Sequence, residues 1–193
     1  GSLLDAAGWK DSNGDGTRDK DGVELVLRYI SNQRQLRKDV QAVVQQMWAQ
    51  AGIGVELVNY GDDFFNSYGD GGRIATGNYD IAEWSDVTSF PDPEQSSYWL
   101  CSQVVGPDNP DGGNWQSYCN PELDALFDQQ ATETDPEARK QLYYQIGQIM
   151  FDNVVWVGMW KDPDLWAVSN RLQGVKFSGA SPFWNAREWF INE

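Results

Sequence analysis

The hydrophobic pattern in the first third of the chain changes its period twice. Residues 23–30 alternate apolar and polar side chains, which predicts a strand. Residues 33–51 carry apolar side chains at helical spacing, and residues 53–60 predict a second strand. Because short links join these elements, we expect a βαβ unit with parallel strands and a right-handed crossover. The buried faces would consist of Val23, Leu25, Leu27 and Tyr29 on the strand and Leu36, Val40, Val43, Val44, Met47, Trp48 and Ala51 on the helix.

The stretch from Asn78 to Pro93 predicts a third strand that runs into a polar loop. Tyr79 to Trp84 has the composition of a short strand, and the segment after it is rich in hydrogen-bonding side chains. Loops held at the end of a strand are common binding sites in α/β proteins. The alternative is a buried tryptophan followed by an ordinary proline-rich turn. The candidate ligand-binding residues are Trp84, Ser85, Asp86, Ser89, Phe90 and Asp92.

Two helices with clear start signals follow in the second half of the chain. Residues 120–122 and 135–137 each supply an N-cap side chain, a proline at the first helical position and an early glutamate. Residues 154–160 predict an apolar strand, and residues 161–193 combine many aromatic side chains with little periodicity. Such a segment is typical of one that packs on another surface. The helical core faces would be Leu123, Leu126 and Phe127, then Ala138, Leu142, Ile146, Ile149 and Met150.

The charge and the composition of the chain exclude several classes of protein. The 14 Lys and Arg residues and the 29 Asp and Glu residues give a formal net charge of −15. Such a surface repels phosphate backbones and anionic membranes, so we expect no nucleic-acid partner. The chain has no histidine, which excludes a Ser-His-Asp triad, a Cys-His dyad and an H-E-x-x-H zinc site within it. A carboxylate-dependent hydrolase remains an alternative, with Glu83 and Asp86 as its candidate residues.

Cys101 and Cys119 are the only cysteines, and a loop rich in Gly, Pro and Asn separates them. An even count fits one disulfide that closes this loop, and two unpaired thiols in a cytosolic protein are the alternative. No apolar run approaches the roughly 18 residues that a membrane helix needs. Residues 3–8 fit the end of a helix stopped at Gly8. The opening Gly-Ser is typical of an expression remnant, so we expect a piece of a longer protein.

Residues 11–19 match the first half of a calcium-binding loop, with the pattern D-x-N-x-D-G-x-x-D. The bidentate glutamate that completes such a loop is absent, because its position holds Gly22. A structural Ca²⁺ is one interpretation. A solvated turn whose Asp and Asn side chains cap backbone amides is the other, and we expect no further cofactor. The possible oxygen ligands are Asp11, Asn13, Asp15, Thr17 and Asp19.

The order of these motifs resembles that of a known family. The motifs A-G-W-K-D, the aspartate-rich loop, the βαβ unit, G-N-Y-D, F-P-D-P, Y-C-N-P-E-L-D-A-L-F-D and D-P-E-A-R-K-Q-L-Y follow one another. This order is similar to the C-terminal part of the extracytoplasmic solute-binding proteins of family 5, which serve peptide, dipeptide and nickel ABC importers. The resemblance covers nearly the whole chain, and residues 120–128 and 135–143 are its most specific pieces.

This resemblance implies an α/β fold, namely lobe II of a periplasmic-binding-protein-like receptor with a βαβ-based mixed sheet flanked by helices. Residues 1–161 would form this lobe, and residues 162–193 would return to a missing N-terminal lobe. The implied function is non-catalytic capture of a solute, either a peptide or an oligosaccharide. The implied location is the periplasm or, for a lipoprotein, the outer face of the cell membrane. The implied partners are the missing lobe and the membrane permease of an ABC importer.

The resemblance also makes Ser89 informative about the ligand. In peptide-binding members aligned without gaps, the aspartate that grips the peptide α-ammonium falls at Ser89, and a serine cannot form that ion pair. Asp86 or Asp92 would then replace it, or the ligand would be another solute, such as an oligosaccharide stacked on Trp84. A calcium-dependent carbohydrate-binding module is the alternative function from a different class of protein.

Overall fold

The computed structural model describes residues 2–86, 92–163, 165–179, 181 and 183–192. The α-helices are α1 (Ser2–Ala6), α2 (Gln35–Ala49), α3 (Ser96–Trp99), α4 (Pro121–Thr132) and α5 (Pro136–Asp152). The strands are β1 (Asp19–Lys20), β2 (Val23–Glu24), β3 (Val26–Asn32), β4 (Gly54–Tyr60), β5 (Ile81–Glu83), β6 (Leu172–Gln173) and β7 (Phe190–Ile191). Short 3₁₀ helices cover Asp62–Phe65, Cys101–Gln103 and Ala186–Glu188.

The main sheet has three strands in the order β4-β3-β5, and both pairs are parallel. The predicted βαβ unit is therefore confirmed, and α2 is its crossover helix. Gly52 ends α2 because its φ of +79° lies in the left-handed region, which turns the chain into β4. The fold class is α/β, as the sequence predicts.

Strand β3 is buried on both faces at its carboxyl end, which the predicted alternation does not describe. The consecutive residues Tyr29, Ile30 and Ser31 are all buried. On one face Tyr29 packs against Trp48 of α2, with ring centroids 6.3 Å apart. On the other face Ile30 packs with Phe64, which belongs to the segment after β4. A central parallel strand covered on both sides is buried along a continuous run rather than at every second residue.

The inner face of α2 is polar, and this corrects the predicted apolar stripe. Arg37 and Gln41 are buried, whereas Leu36, Val43 and Met47 are exposed. The physical reason is hydrogen bonding to the strands. The Gln41 amide donates to the carbonyl of Tyr29 at 3.1 Å, and the Gln45 amide donates to the carbonyl of Val55 at 2.9 Å. Hydrogen bonds to strand carbonyls therefore set the orientation of the helix.

The helical hairpin of α4 and α5 forms the second core. Both predicted N-caps are confirmed: Asn120 accepts from the backbone N–H of Glu122, and Asp135 accepts from that of Ala138. Ala138 itself is exposed, which corrects its predicted place in the core, because it lies in the first turn beyond the packed region. The predicted disulfide between Cys101 and Cys119 is confirmed. The buried residues of this core are Trp99, Leu123, Leu126, Phe127 and Ile146.

The segment after α5 is irregular, and the strand predicted for residues 154–160 is wrong. Val154, Val157 and Met159 are exposed there. A strand needs a neighbouring strand for its backbone groups, and in the described part of the chain no strand pairs with this apolar run. β6 and β7 pair in this region as an antiparallel ladder of two residues each. Among the described residues, no helix is long and apolar enough to cross a membrane.

Replacing Leu123 with alanine tests the second core. Leu123 is 0% exposed, so we expect Leu123→Ala to lower the free energy of unfolding by about 3 kcal/mol through lost burial and a cavity. The matched control is Leu3→Ala, because Leu3 is 86% exposed and its change should stay within about 0.5 kcal/mol. Urea unfolding followed by circular dichroism measures both. Equal losses in the two variants would contradict the assignment of this core.

Candidate functional site

The carboxyl edge of the parallel sheet brings three elements together. Strands β3 and β5 end side by side, with Ser31 opposite Glu83 in the ladder. The Ser31 hydroxyl donates to the Glu83 carbonyl at 2.8 Å, which ties the two strand ends. Helix α2 begins just after β3, and the β5–α3 connection (residues 84–95) begins just after β5. In open α/β sheets this edge is where ligands bind.

A polar cluster lies at this edge and consists of the buried residues Tyr29, Arg37 and Glu83 and the exposed residue Ser85. Arg37 is 4% exposed and Glu83 is 8% exposed. The Tyr29 hydroxyl donates to Oε2 of Glu83 at 2.5 Å. Nη2 of Arg37 donates to the Ser85 hydroxyl at 2.7 Å. The cluster thus joins the central strand, the first turns of α2 and the start of the β5–α3 connection.

Burial controls the electrostatics of this cluster. It raises the pKa of the Glu83 carboxyl above its ordinary value, against an opposing effect from the Tyr29 hydrogen bond and the Arg37 charge. It lowers the pKa of the Arg37 guanidinium, against an opposing effect from Glu83. Burial and the neighbouring Glu83 also raise the pKa of the Tyr29 hydroxyl. Burying the charged forms of Glu83 and Arg37 therefore costs free energy, and their mutual attraction offsets only part of this cost.

Two atoms of the cluster have no partner among the described residues. They are Nη1 of Arg37 and Oε1 of Glu83, and both are buried. Folded proteins pair nearly all buried polar atoms, and an unpaired one costs about 1–3 kcal/mol. One unused donor and one unused acceptor at the carboxyl edge suit a ligand that offers both an acceptor and a donor.

Trp84 packs in an aromatic cluster, which bears on its predicted role in stacking a sugar. Its ring centroid lies 4.9 Å from that of Trp156 and 6.1 Å from that of Trp115, both in edge-on geometry. Trp156 in turn lies 6.1 Å from Trp99 of the second core. Trp84 is half-buried. Its indole is therefore partly occupied in joining the two cores, which favours the alternative of a packed tryptophan.

The segment after α5 also borders the site. Nη1 of Arg34, just before α2, donates to Asp162 at 2.6 Å, and the Trp160 indole N–H donates to the same carboxylate at 2.8 Å. Together with the contact between Trp156 and Trp84, these bonds hold this segment close to the start of α2.

The other predicted site residues differ in where the structure places them. Ser85 is exposed and joins the polar cluster through its bond from Arg37. Asp86 is also exposed. Asp92 forms two hydrogen bonds to the Arg139 guanidinium, at 2.8 and 3.0 Å. This pairing lowers the pKa of the Asp92 carboxyl and neutralises the charge that a ligand ammonium would need. Ser89 and Phe90 lie outside the described residues.

Sequence reasoning missed Arg37 and Tyr29 as site residues. The period of α2 predicts an apolar inner face, so an arginine between apolar positions is expected to point to solvent. The available signal was its place in the first turn of a helix that follows a parallel strand. Residues there face the carboxyl edge of the sheet.

The aspartate-rich loop is folded as a capped turn. Asp11 accepts hydrogen bonds from the backbone N–H groups of Gly14 and Gly16, at 2.7 and 3.0 Å. Asp15 accepts from the N–H of Thr17, and Asp19 accepts from the N–H and the hydroxyl of Ser12. Asn13 accepts from the N–H of Asp15. Within the described ranges, no group of three or more His, Cys, Asp or Glu residues could hold a metal ion. The geometry favours the turn over the calcium loop.

Comparison with known proteins places the chain among bacterial solute receptors. Residues 1–107 match the family described as bacterial extracellular solute-binding proteins, family 5 Middle. The chain is 27% identical to the oligopeptide-binding protein AppA of Bacillus subtilis, over 98% of this chain and 33% of AppA. It is 28% identical to the oligopeptide-binding protein OppA of Mycobacterium bovis, over 91% of this chain and 28% of OppA.

Solved structures show the same fold. AppA from Bacillus subtilis in complex with a nonapeptide matches with a TM-score of 0.76 and 24% identity, over 100% of this chain and 36% of that one. NikZ from Campylobacter jejuni in complex with Ni(L-His) matches with a TM-score of 0.72 and 20% identity, over 97% and 37%. The chain thus spans about a third of the length of the relatives that it matches.

The raised pKa of Glu83 predicts a pH dependence of stability. The folded protein keeps this proton to a higher pH than the unfolded chain, whose carboxyl titrates near 4.5. Stability from this group is present below pH 4.5 and is lost as the pH rises through the folded pKa. Glu83→Gln does not titrate, so its thermal midpoint should rise relative to the wild type as the pH increases from 4.5.

The measurement is thermal unfolding at several pH values from about 4 to about 8, a range that begins near the ordinary carboxyl pKa. Glu56→Gln is the matched control, because Glu56 is an exposed glutamate of β4. This variant should keep the wild-type pH dependence. Parallel curves for the wild type and Glu83→Gln would show that the carboxyl is not perturbed.

The capped turn predicts the response of the protein to calcium. Because Asp11, Asn13 and Asp15 already accept bonds from loop amides, we expect millimolar Ca²⁺ to leave the thermal midpoint unchanged. Asp11→Ala should lower the midpoint whether or not calcium is present, because two amides lose their acceptor. The calcium loop would be supported instead if calcium raised the thermal midpoint of the wild type and EGTA returned it to its original value. The midpoint of Asp11→Ala should then not respond to calcium.

Proposed function

Because this chain belongs to the bacterial extracellular solute-binding proteins of family 5, we propose that it forms the ligand-contacting lobe of a non-catalytic receptor for an ABC importer. The observation that carries the proposal is the burial of both Arg37 and Glu83 at the carboxyl edge of the sheet, with one unused donor and one unused acceptor among the described residues. The family sets the class of function, and this cluster suggests how the lobe contacts its solute.

A ligand would complete the hydrogen bonding of the cluster. Nη1 of Arg37 is a charged donor, and its natural partner is a carboxylate or a carbonyl oxygen. Oε1 of Glu83 is an acceptor, and its natural partner is an N–H or O–H group. Both side chains are held by neighbours, Arg37 by Ser85 and Glu83 by Tyr29, so little conformational freedom is lost on binding.

A zwitterionic peptide satisfies these requirements best. The net charge of −15 repels solutes that are anionic overall, whereas a zwitterion carries no net charge. Its carboxylate would meet the buried guanidinium. The structure of AppA from Bacillus subtilis with a nonapeptide supports a peptide ligand by similarity. An oligosaccharide lacks the carboxylate, and the packing of Trp84 against Trp115 and Trp156 leaves less of its ring for stacking.

We further propose that residues 162–193 belong to the connection toward the first lobe of a two-lobe receptor. The support is their exposed apolar surface in the described part of the tail. Leu165 is 88% exposed, and large aromatic side chains are exposed as well, which is unusual unless a partner covers them. The exposed aromatic residues are Trp166, Phe177, Phe183, Trp184 and Phe190. Residues 1–161 would form the lobe that carries the cluster.

The disulfide between Cys101 and Cys119 supports a location outside the cytoplasm, where disulfides persist. The proposed partners are the first lobe, the peptide and the membrane permease of the importer. Calcium has no part in this proposal. No catalytic step is assigned either, because Glu83 is buried and bonded to Tyr29 and its neighbour in the hydrolase alternative, Asp86, is exposed.

The proposal is tested by removing the carboxylate from the ligand. Trialanine and trialanine amide are titrated into the 193-residue chain, and binding is followed by NMR chemical shifts. Because a two-lobe trap is half complete in this chain, we expect weak binding of trialanine. We expect the amide to bind about tenfold more weakly, since a charge-assisted hydrogen bond to Arg37 is lost.

Arg37→Gln should bind both ligands equally and weakly, and circular dichroism checks that it remains folded. Lys38→Gln is the matched control, because it removes one positive charge from the next residue of α2 and should keep the preference for trialanine. Equal affinities of the wild type for trialanine and its amide would rule out the Arg37 contact. Tight binding of either ligand to this chain would contradict its role as half of a trap.

A further inference from the structure

The structure assigns Arg139, in the first turn of α5, as a positioning residue for the ligand site. It holds Asp92 and thereby fixes the downstream end of the β5–α3 connection. The consequence for ligand affinity rests on the proposed function, but the positioning itself does not. Arg139 acts through Asp92, because its guanidinium is bonded to that carboxylate.

The contact between Arg139 and Asp92 is a two-point one. Nη1 of Arg139 donates to Oδ2 of Asp92 at 3.0 Å, and Nη2 donates to Oδ1 at 2.8 Å. A fork-to-fork pair of this kind fixes the orientation of both side chains as well as their separation. The Arg139 side chain is 27% exposed, so the pair is partly screened from water on the arginine side.

The rest of the Arg139 guanidinium is already held by α4 and α5. Its Nε donates to the side-chain and backbone oxygens of Gln130, at 3.1 and 3.2 Å, and Nη2 donates to the same side-chain oxygen at 2.7 Å. The Tyr143 hydroxyl donates to this oxygen as well, at 3.0 Å, and the Tyr143 ring lies 5.4 Å from the guanidinium carbon. Gln130 is buried.

This arrangement makes the pair more than an ordinary surface ion pair. Exposed pairs contribute little because two flexible side chains must be ordered to form them. Here Gln130 and Tyr143 order the guanidinium in advance, so Asp92 meets a fixed fork. The helical hairpin therefore offers a rigid attachment point for the chain that arrives from β5.

The two ends of the connection are attached to different cores. The upstream end is held by the bond from Arg37 of α2 to Ser85, which belongs to the sheet layer. The downstream end is held by Arg139, next to the core of Leu123 and Ile146. Loss of Arg139 would release one end and leave the other attached. The local backbone around Asp92 should then open more often, while both cores stay intact.

Residue-specific amide exchange measured by NMR tests this positioning in the 193-residue chain. In Arg139→Gln, we expect the four amides of residues 92 and 94–96 to exchange about tenfold faster, while those of Leu123 to Phe127 and of Ile30 keep their wild-type rates (residue 93 is a proline and has no amide hydrogen). In Arg139→Lys, these exchange rates should lie between those of the wild type and those of Arg139→Gln, because an ammonium cannot form the two-point contact. Asp92→Asn should reproduce the effect from the other side of the pair.

Lys140→Gln is the matched control, because Lys140 is the next residue of α5 and pairs with Glu137 on the same helix at 3.4 Å. It should leave all exchange rates unchanged. The double variant Asp92→Arg with Arg139→Asp should restore part of the protection. Wild-type exchange at residues 92–96 in Arg139→Gln would overturn the assignment. Faster exchange of equal size throughout the chain would also overturn it, because that is the mark of a purely structural residue.

The link to ligand binding is measured separately with trialanine. Arg139→Gln should weaken trialanine binding relative to Lys140→Gln, because Ser85, which accepts from Arg37, and Asp92, which Arg139 holds, belong to the same connection. If the wild-type chain does not bind trialanine, the proposed function fails, and the exchange rates still decide whether Arg139 positions the connection. Unchanged affinity with faster exchange at residues 92–96 would restrict Arg139 to the local backbone and refute its role in the site.

Discussion

The burial of β3 on both faces is the constraint on which the rest of this structure depends. A central strand with neighbours on both sides and layers above and below leaves no water for the polar groups near its end. Helix α2 therefore turns Gln41 and Gln45 inward to donate to strand carbonyls. The apolar residues Leu36, Val43 and Met47 are left on its outer surface as a result. The same constraint brings Arg37 to the carboxyl edge, where Glu83, the last residue of the neighbouring strand β5, also lies.

A stable fold alone does not require this pair of buried charges. Buried groups of opposite charge seldom stabilise a protein more than apolar residues of similar volume would, because desolvation offsets their attraction. Here the free-energy cost of burial is larger, since Arg37 and Glu83 each keep one buried atom without a hydrogen-bond partner among the described residues. The cost is consistent with a site prepared for a ligand, in which the missing hydrogen bonds form only when the solute arrives. Without the solute, the free energy of unfolding is then lower than it would be if these polar atoms were paired.

The sequence predicts the local elements well and the tertiary orientation poorly. The βαβ unit, the N-caps at Asn120 and Asp135 and the disulfide follow from short-range patterns that need few residues to specify. The rotation of α2 does not, because hydrogen bonds from Gln41 to a distant strand outweigh the apolar stripe. The strand predicted at residues 154–160 needs a neighbouring strand, which no local pattern supplies. Local patterns also do not reveal Arg37 as a candidate site residue, because its burial depends on β5 and Ser85, which are distant from it in the sequence.

If this edge binds a solute as proposed, recognition there would depend on local charge rather than on the field of the whole molecule. The chain carries a net charge of −15, and in physiological salt its exposed charges are screened beyond about 8 Å. A carboxylate that approaches the surface therefore meets a weak repulsion at most. Once it reaches the carboxyl edge, the Arg37 guanidinium acts in a poorly solvated environment, where screening is weak and a hydrogen bond is stronger. Glu83 keeps that region from being simply cationic, so a group with its own N–H donor is favoured over a bare anion. Under the proposed function, Arg37 and Glu83 together would favour a solute that is neutral overall and presents its carboxylate to Arg37.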